Sequence, residues 1–259
     1  MRIFGNSILI TGAGSGIGLA LATTLARRNS RIAICGRDEN KLEKARLEVP
    51  GLQTKRCNLT ARKNLDDLLR WALEVLPELN IVINNAGVAR KTDLSQHHVD
   101  FEAAEEQLTT DLYAPIHLTL GFLPHLRRQP QAAIVNVTTG LVYSPDASTP
   151  TYSAAKVGLH TWTQALRYQL QGTSVRVFEV LPPIVDTEMI SGLGIDATAV
   201  SAETPQQVAE AVLKGIADDK EEIRIGPTKS LYAISGVAPK TVYRSLNQRI
   251  QKMQSRQAA

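Results

Sequence analysis

Residues 8–18 read ILITGAGSGIG, and a helical pattern begins at Leu19. The apolar residues 8–10 predict a buried strand, and the glycines at positions 12, 14, 16 and 18 predict a turn whose backbone no Cβ obstructs at those positions. In such a turn, backbone N–H groups and the N-terminus of the next helix can approach a pyrophosphate. The order strand, glycine turn, helix therefore predicts a dinucleotide site; the alternative is a tight turn that binds no ligand.

Short apolar runs and helical patterns alternate along the rest of the chain. The apolar runs lie at residues 7–10, 31–35, 52–57, 81–84, 132–137, 175–180 and 222–225. The helical patterns between them lie at residues 17–28, 39–48, 62–76, 101–127, 152–170 and 205–217. Strands separated by helices pair in parallel through right-handed crossovers. The sequence therefore predicts an α/β protein: one doubly wound, Rossmann-type domain over residues 1–259, with a parallel sheet of about seven strands and helices on both faces.

The end of the second predicted strand indicates which dinucleotide binds. Arg37 stands there, about twenty residues after the glycine turn, where the adenosine ribose is expected. A guanidinium suits the 2′-phosphate of NADP, whereas an NAD site calls for a carboxylate that accepts from the 2′-hydroxyl. Asp38 is the competing candidate, but its position favours the N-cap of the following helix. We expect NADP as the cofactor, with NAD less favoured.

Tyr152 and Lys156 are four residues apart at the start of a predicted helix, so they share one face. A free tyrosine with a pKa of about 10 is a poor acid or base at neutral pH, and a nearby ammonium lowers that pKa. The pair suits proton exchange with an alcohol or a carbonyl. Spacing alone is weak evidence, because solvated helices also carry such pairs.

Five motifs occur in order along the chain. They read TGAGSGIG at 11–18, NNAG at 84–87, TT at 138–139, YSAAK at 152–156 and PPIVDT at 182–187. Together they resemble the short-chain dehydrogenase/reductase family over about residues 7–225. Within that family, residues 112–119 and 221–226 are similar to the short-chain oxidoreductases of the D-alanyl-lipoteichoic acid operon type.

The resemblance implies a role for each matching residue. It implies Tyr152 as general acid or base, Lys156 as the group that holds the ribose and lowers the tyrosine pKa, and Thr139 as the hydroxyl that orients the substrate. Further cofactor contacts are implied around the pyrophosphate, both riboses, the adenine and the carboxamide, at Gly12, Ser15, Gly16, Ile17, Gly18, Arg37, Asn58, Leu59, Asn85, Ala86, Gly87, Pro182, Val185 and Thr187. It also implies a homodimer or homotetramer through helices 101–127 and 152–170.

Three residues depart from the family pattern. Thr139 replaces the usual serine and keeps a donor, but its methyl group restricts the rotamers. Pro183 replaces the usual glycine and stiffens its turn. Asp111 stands where an asparagine normally completes a proton relay to the lysine. Its charge would hold Lys156 protonated and oppose a phenolate at Tyr152, unless it is a helix residue that points elsewhere.

The charge and cysteine content exclude several function classes. The chain has 29 basic and 25 acidic residues, but residues 223–259 hold seven basic residues and no acidic ones, which leaves 22 basic and 25 acidic before them. We interpret residues 227–259 as a basic helical extension over the sheet or the substrate mouth. Its spread-out charges predict no nucleic-acid partner, and contact with an anionic membrane is the less favoured reading.

Cys35 and Cys57 are expected to end buried strands, and His97 and His98 lack a third metal ligand.

The leading prediction is an NADP-dependent oxidoreductase that interconverts a carbonyl and an alcohol in the cytoplasm. Residues 188–203, apolar but rich in glycine, predict a substrate lid over a mostly apolar ligand, with a short connector helix as the alternative. Two other functions stay open. One is a catalytically weak NADP sensor or scaffold, and the other is a hydrolase or isomerase that reuses the same site.

Overall fold

The computed structural model describes residues 1–95 and 100–257, with residues 252–257 as backbone alone. His97 and His98 therefore lie outside the described residues. The strands are β1 Ser7–Thr11, β2 Arg31–Gly36, β3 Gln53–Arg56, β4 Ile81–Asn84, β5 Ala132–Val137, β6 Val175–Leu181 and β7 Glu222–Arg224. The helices are α1 Gly16–Ala26, α2 Glu39–Glu48, α3 Arg62–Val75, α4 Phe101–Leu108, α5 Ala114–Leu126, α6 Pro150–Gln169, α7 Glu188–Gly192, α8 Pro205–Ala217, α9 Thr228–Ser235 and α10 Pro239–Gln257.

The seven strands form one parallel sheet in the order β3-β2-β1-β4-β5-β6-β7. The chain first builds outward from β1 to β3, then returns and builds from β4 to β7, so the order reverses between β1 and β4. In an open α/β sheet, ligands bind at the carboxyl ends of the strands beside such a reversal. The predicted single Rossmann-type domain is confirmed.

The central strands are apolar on both faces because each face is covered by helices. One core cluster contains Ile8, Ile10 and Phe178, and the second, on the other face, contains Leu9 and Phe122. Alternate residues of β1 therefore belong to different cores. This double burial fixes the register of β1 and so the point at which the glycine turn leaves the sheet.

The predicted helix over residues 101–127 is interrupted. Helix α4 ends at Leu108, a π-helical segment runs over Thr109–Tyr113, and α5 begins at Ala114. A π-helical turn inserts a residue into the hydrogen-bond ladder and rotates the side chains that follow, and such turns recur at functional sites. The residue at the centre of this turn is Asp111.

The end of the chain is helical. Helix α9 packs closely against the turn that follows β5. A Cβ built on Gly140 of this turn would lie only 2.7 Å from Thr228 Oγ1 of α9. Helix α10 reaches the loop before α6, where Asn247 Nδ2 donates to the Pro145 carbonyl at 3.0 Å and its Oδ1 accepts from Ala147 N at 2.7 Å. Within residues 1–95 and 100–257, no helix is both long and apolar enough to cross a bilayer.

Candidate active site

The glycine turn is held against the neighbouring strands by its own backbone. Gly12 N donates to the Cys35 carbonyl at 2.8 Å, and Asn85 Nδ2 donates to the carbonyls of Thr11 and Gly12 at 2.9 and 3.1 Å. Gly12 has a φ of +64°, and a Cβ at this position would lie 2.6 Å from the Ala86 Cα. The turn therefore requires glycine both for its conformation and for the close approach of the segment after β4.

A cavity of about 210 Å³ opens beside this turn. Its walls come from the glycine turn, the ends of β2 and β3, and the segment after β4, at Gly12, Gly14, Ser15, Gly36, Arg37, Asp38, Lys41, Cys57, Asn58, Leu59, Ala86, Gly87, Val88 and Thr110. The cavity thus brings together seven of the residues predicted to bind the cofactor, namely Gly12, Ser15, Arg37, Asn58, Leu59, Ala86 and Gly87. Asn85 does not line the cavity but ties the glycine turn to the segment after β4. The glycine-rich turn at the N-terminus of α1 fits a pyrophosphate.

Of the residues that follow β2, Arg37 and Asp38 both line the cavity, and Asp38 also caps the next helix. Asp38 caps α2, with its Oδ1 accepting from Lys41 N at 3.1 Å, as expected for an N-cap. Arg37 lines the cavity and pairs with Glu106 of α4. Asn58, at the predicted adenine edge, uses its Oδ1 to accept from Thr60 N and Oγ1 at 3.2 and 3.0 Å.

The segment after β6 reaches the glycine turn from the other side. Thr187 Cγ2 lies 3.1 Å from the position of a Cβ on Gly16, whose φ is +56°. Val185 is buried and forms a bridge with Glu203, and the Pro182 carbonyl accepts from Gly140 N at 2.9 Å. The predicted lid begins as helix α7, so the connector-helix alternative describes its first five residues. Its role as a lid stays a prediction.

Tyr152 lies in the first turn of α6, which begins at Pro150, and its hydroxyl lies near the Thr139 side chain. Thr139 follows β5 and caps a short 3₁₀ turn, with its Oγ1 accepting from Leu141 N at 3.3 Å. Burial raises the pKa of the Tyr152 phenol well above its ordinary value, and the charge of Asp111 raises it further, while the Thr139 hydroxyl opposes them. The lowering of the tyrosine pKa expected from Lys156 is therefore opposed here, first by burial and then by a neighbouring acid.

That acid is Asp111, which is fully buried in the π-helical turn. Its Oδ1 lies 3.1 Å from Lys156 Nζ, and both carboxylate oxygens accept from Val88 N at 3.2 and 3.1 Å. Lys156 also donates to the Val137 carbonyl at 3.1 Å. Burial raises the pKa of the Asp111 carboxyl, and Lys156 and the Val88 N–H oppose that rise. The reading that Asp111 points elsewhere is wrong.

Gly87 joins this buried pair to the cavity. A Cβ at Gly87 would lie 2.8 Å from Asp111 Oδ1 and 3.4 Å from Lys156 Nζ, and Gly87 itself lines the cavity. The four predicted catalytic residues, Tyr152, Lys156, Thr139 and Asp111, therefore form one group at the carboxyl ends of β4 and β5, adjacent to the cavity.

Two charged clusters near the site were missed by sequence reasoning. Glu179 of β6 is fully buried and accepts from Thr138 Oγ1 at 2.6 Å and from His160 Nδ1 at 2.9 Å. The second cluster is Glu106 with Arg37 and Arg90. The one available signal for the first was Glu179 itself, an acid inside the mostly apolar stretch of β6. Nothing in the sequence pointed to the second, because it joins three segments distant along the chain.

With this geometry in place, the comparisons with known proteins assign the family. The family model described as short chain dehydrogenase matches residues 6–197. The chain belongs to the short-chain dehydrogenase/reductase family.

Within the family, the chain is similar to the Uncharacterized oxidoreductase DltE of Bacillus subtilis (strain 168), with 37% identity over 227 residues, covering 86% of this chain and 89% of the relative. An uncharacterized oxidoreductase of Staphylococcus aureus (strain MRSA252) is 28% identical and covers 85% of this chain and 96% of its own length.

Two solved structures are similar over most of the chain. A short-chain dehydrogenase from Sphingobium yanoikuyae in complex with NADPH has a TM-score of 0.76 and 27% identity, over 84% of this chain and 87% of its own. A short chain dehydrogenase from Burkholderia cenocepacia J2315 in complex with NADP has a TM-score of 0.79 and 25% identity, over 96% of this chain and 98% of its own. A nicotinamide cofactor is thus supported for an oxidoreductase of this family.

Proposed function

We propose that this oxidoreductase uses NADP(H) to interconvert a small, mostly apolar carbonyl compound and its alcohol, with Tyr152 as the proton donor or acceptor. The observation that carries the proposal is the single group formed by Tyr152, Thr139, Lys156 and Asp111 beside the glycine-turn cavity. A site that only binds a nucleotide does not need a half-buried phenol beside a second hydroxyl.

NADP is favoured over NAD by the charge at the ribose end of the cavity. Arg37 lines the cavity, and Asp38 is committed to the cap of α2. Gly12, Gly16 and Gly18 leave room for the pyrophosphate; a Cβ on Gly18 would lie 2.6 Å from Asn85 Nδ2. Bound NADP(H) supplies the hydride donor or acceptor.

The chain's own residues then hold the substrate oxygen and move a proton. Thr139 and Tyr152 present two hydroxyls that can bond the same oxygen. Tyrosine is a neutral phenol at pH 7 even at its ordinary pKa of about 10, and the raised pKa keeps Tyr152 in this form, which gives a proton to the oxygen of a carbonyl under reduction. Lys156, held by Asp111 and the Val137 carbonyl, places a positive charge 5.8 Å from the ring centroid and stabilises the phenolate that remains.

The substrate side of the site is mostly apolar. Met189 of α7 approaches Gly87, with its Cε 3.5 Å from the position of a Cβ there, and Ile190 is buried beside it. We propose that residues 188–203 cover the substrate, and that the turn at residues 140–143, supported by α9, forms the facing wall.

The proposal is tested by titrating the protein with NADPH and NADH and then following NADPH consumption over a panel of apolar ketones and aldehydes. Wild type is compared with Tyr152→Phe and with Tyr168→Phe, a matched control on the exposed face of the same helix. Loss of the general acid lowers kcat by about 10²–10⁴-fold in Tyr152→Phe only. Tight NADPH binding without turnover on any compound supports the sensor function, and no nucleotide binding supports the hydrolase or isomerase.

A further inference from the structure

Glu106 of α4 lies between two arginines. Arg90 Nη2 and Nε lie 2.5 and 3.2 Å from Glu106 Oε2, and Arg37 Nη1 bonds the other oxygen, Oε1. The Glu106 side chain is 18% exposed, against 54% for Arg37 and 49% for Arg90. The carboxylate is therefore more enclosed than either cation, and each of its oxygens serves a different guanidinium.

These three side chains are joined to the wall of the cavity through Arg37. Arg37 lines it directly. Arg90 stands two residues after Val88, which also lines the cavity. The Arg90 N donates to Gln107 Oε1 at 3.0 Å, and this bond fixes the backbone of Arg90 against α4. Thr110, one turn beyond Glu106, lines the cavity as well. This part of the wall is thus built from the end of β2, the segment after β4, and the π-helical turn after α4.

The carboxylate is ionised at neutral pH. Partial burial raises the pKa of Glu106, but the hydrogen bonds and charges of Arg90 and Arg37 outweigh it and hold the pKa below its ordinary value. The two guanidiniums and the carboxylate together carry a single positive charge. Within the part of the chain that the structure describes, Glu106 is the only side chain that pairs with Arg37. The guanidinium keeps further donors for a second anion.

We propose that Glu106 sets the discrimination between NADP and NAD, and that Arg90 joins Arg37 as a second cation for the ribose 2′-phosphate; the inference rests on the proposed function. A phosphate monoester carries a charge of about −2 at pH 7 and is repelled by a carboxylate that already occupies the arginines. A ribose 2′-hydroxyl is a donor and can bond that same carboxylate. Glu106 therefore weakens the binding of NADP and strengthens the binding of NAD. Arg37 and Arg90 strengthen the binding of NADP and weaken that of NAD.

The test measures the Kd of NADPH and NADH by quenching of protein fluorescence at fixed ionic strength. The variants are Glu106→Gln, Arg90→Gln and Arg37→Gln. Glu105→Gln is the matched control, because Glu105 is the adjacent, exposed acid of the same helix and the same charge is removed. Melting temperatures of all variants are recorded, and Arg90→Gln keeps the test valid if Glu106→Gln is poorly folded.

The ratio of the Kd for NADH to the Kd for NADPH is expected to rise on the order of tenfold in Glu106→Gln relative to Glu105→Gln. It is expected to fall in Arg90→Gln and Arg37→Gln. If wild type binds NADPH, a ratio that is equal in Glu106→Gln and Glu105→Gln overturns the role of Glu106, and an unchanged ratio in Arg90→Gln overturns that of Arg90. Wild type that binds neither nucleotide overturns the proposed function and this inference together.

Discussion

Replacement of Asp111 by asparagine is expected to lower the pKa of the Tyr152 phenol. Lys156 Nζ lies 3.1 Å from Asp111 Oδ1 and 5.8 Å from the Tyr152 ring centroid, so the carboxylate lies within about 9 Å of the ring. At that distance and an effective dielectric constant of about 20, one negative charge disfavours a phenolate by about 1.8 kcal/mol. Removing it should lower the pKa of Tyr152 by roughly 1.3. The amide oxygen of the new side chain can still accept from Val88 N, and Lys156 keeps its bond to the Val137 carbonyl.

The pKa is read by ¹³C NMR of protein labelled at the tyrosine Cζ, with Tyr152 assigned from its missing signal in Tyr152→Phe. Breaking a buried ion pair costs about 3–5 kcal/mol, so folding of the variant is checked first by thermal denaturation. The control is Asp219→Asn, which removes an exposed charge paired with Arg176 at the opposite, amino end of β6. A Tyr152 titration that is the same in Asp111→Asn, Asp219→Asn and wild type would refute the electrostatic account of Asp111.

Two further outcomes follow from the described contacts. Gly12→Ala is expected to abolish detectable NADPH binding, because the new Cβ would lie 2.6 Å from the Ala86 Cα. Gly51→Ala is the control: its φ is +80° and no atom lies within 4 Å of the new Cβ. This variant should lose only about 1–2 kcal/mol of folding stability from the unfavourable backbone conformation, and it should bind NADPH as wild type does. Equal binding by the two variants would contradict this reading. The hydrogen bond that His160 donates to Glu179 raises the pKa of the imidazole, so the stability from this pair is complete below about pH 6.5 and is lost as the pH rises through the raised pKa. Urea unfolding from pH 6 to 9 should show a smaller loss of stability in Glu179→Gln than in wild type, and parallel curves would exclude the linkage.

The fold could be read from the sequence because parallel strands buried on both faces leave a strong local signal. Residues such as Leu9 and Ile10 serve opposite cores, so β1 is an unbroken apolar run, and the glycine turn follows it directly. The parallel pairing of the strands follows from the helices between them. These signals are local in sequence, and the predicted sheet of about seven strands is confirmed.

The site could be predicted only in its parts. The four-residue spacing of Tyr152 and Lys156 placed them on one helix face, but the direction of Asp111 depends on the π-helical turn, which the pattern of residues 101–127 does not reveal. The raised pKa of Tyr152 depends on that contact and on burial. The pairing of Glu106 with Arg37 and Arg90 is likewise tertiary. Electrostatics between distant segments is therefore the part that the sequence left undetermined.

The central claim, hydride transfer to a carbonyl, is tested most directly by following the hydrogen itself. NADPH carrying deuterium at one face of nicotinamide C4 is supplied with the ketone or aldehyde that turns over fastest, and the alcohol is analysed by mass spectrometry. The proposed function predicts one deuterium on the carbinol carbon from one C4 face alone, and none when the label is on the other face. An alcohol free of deuterium from either face, or a product formed without consumption of NADPH, would contradict it.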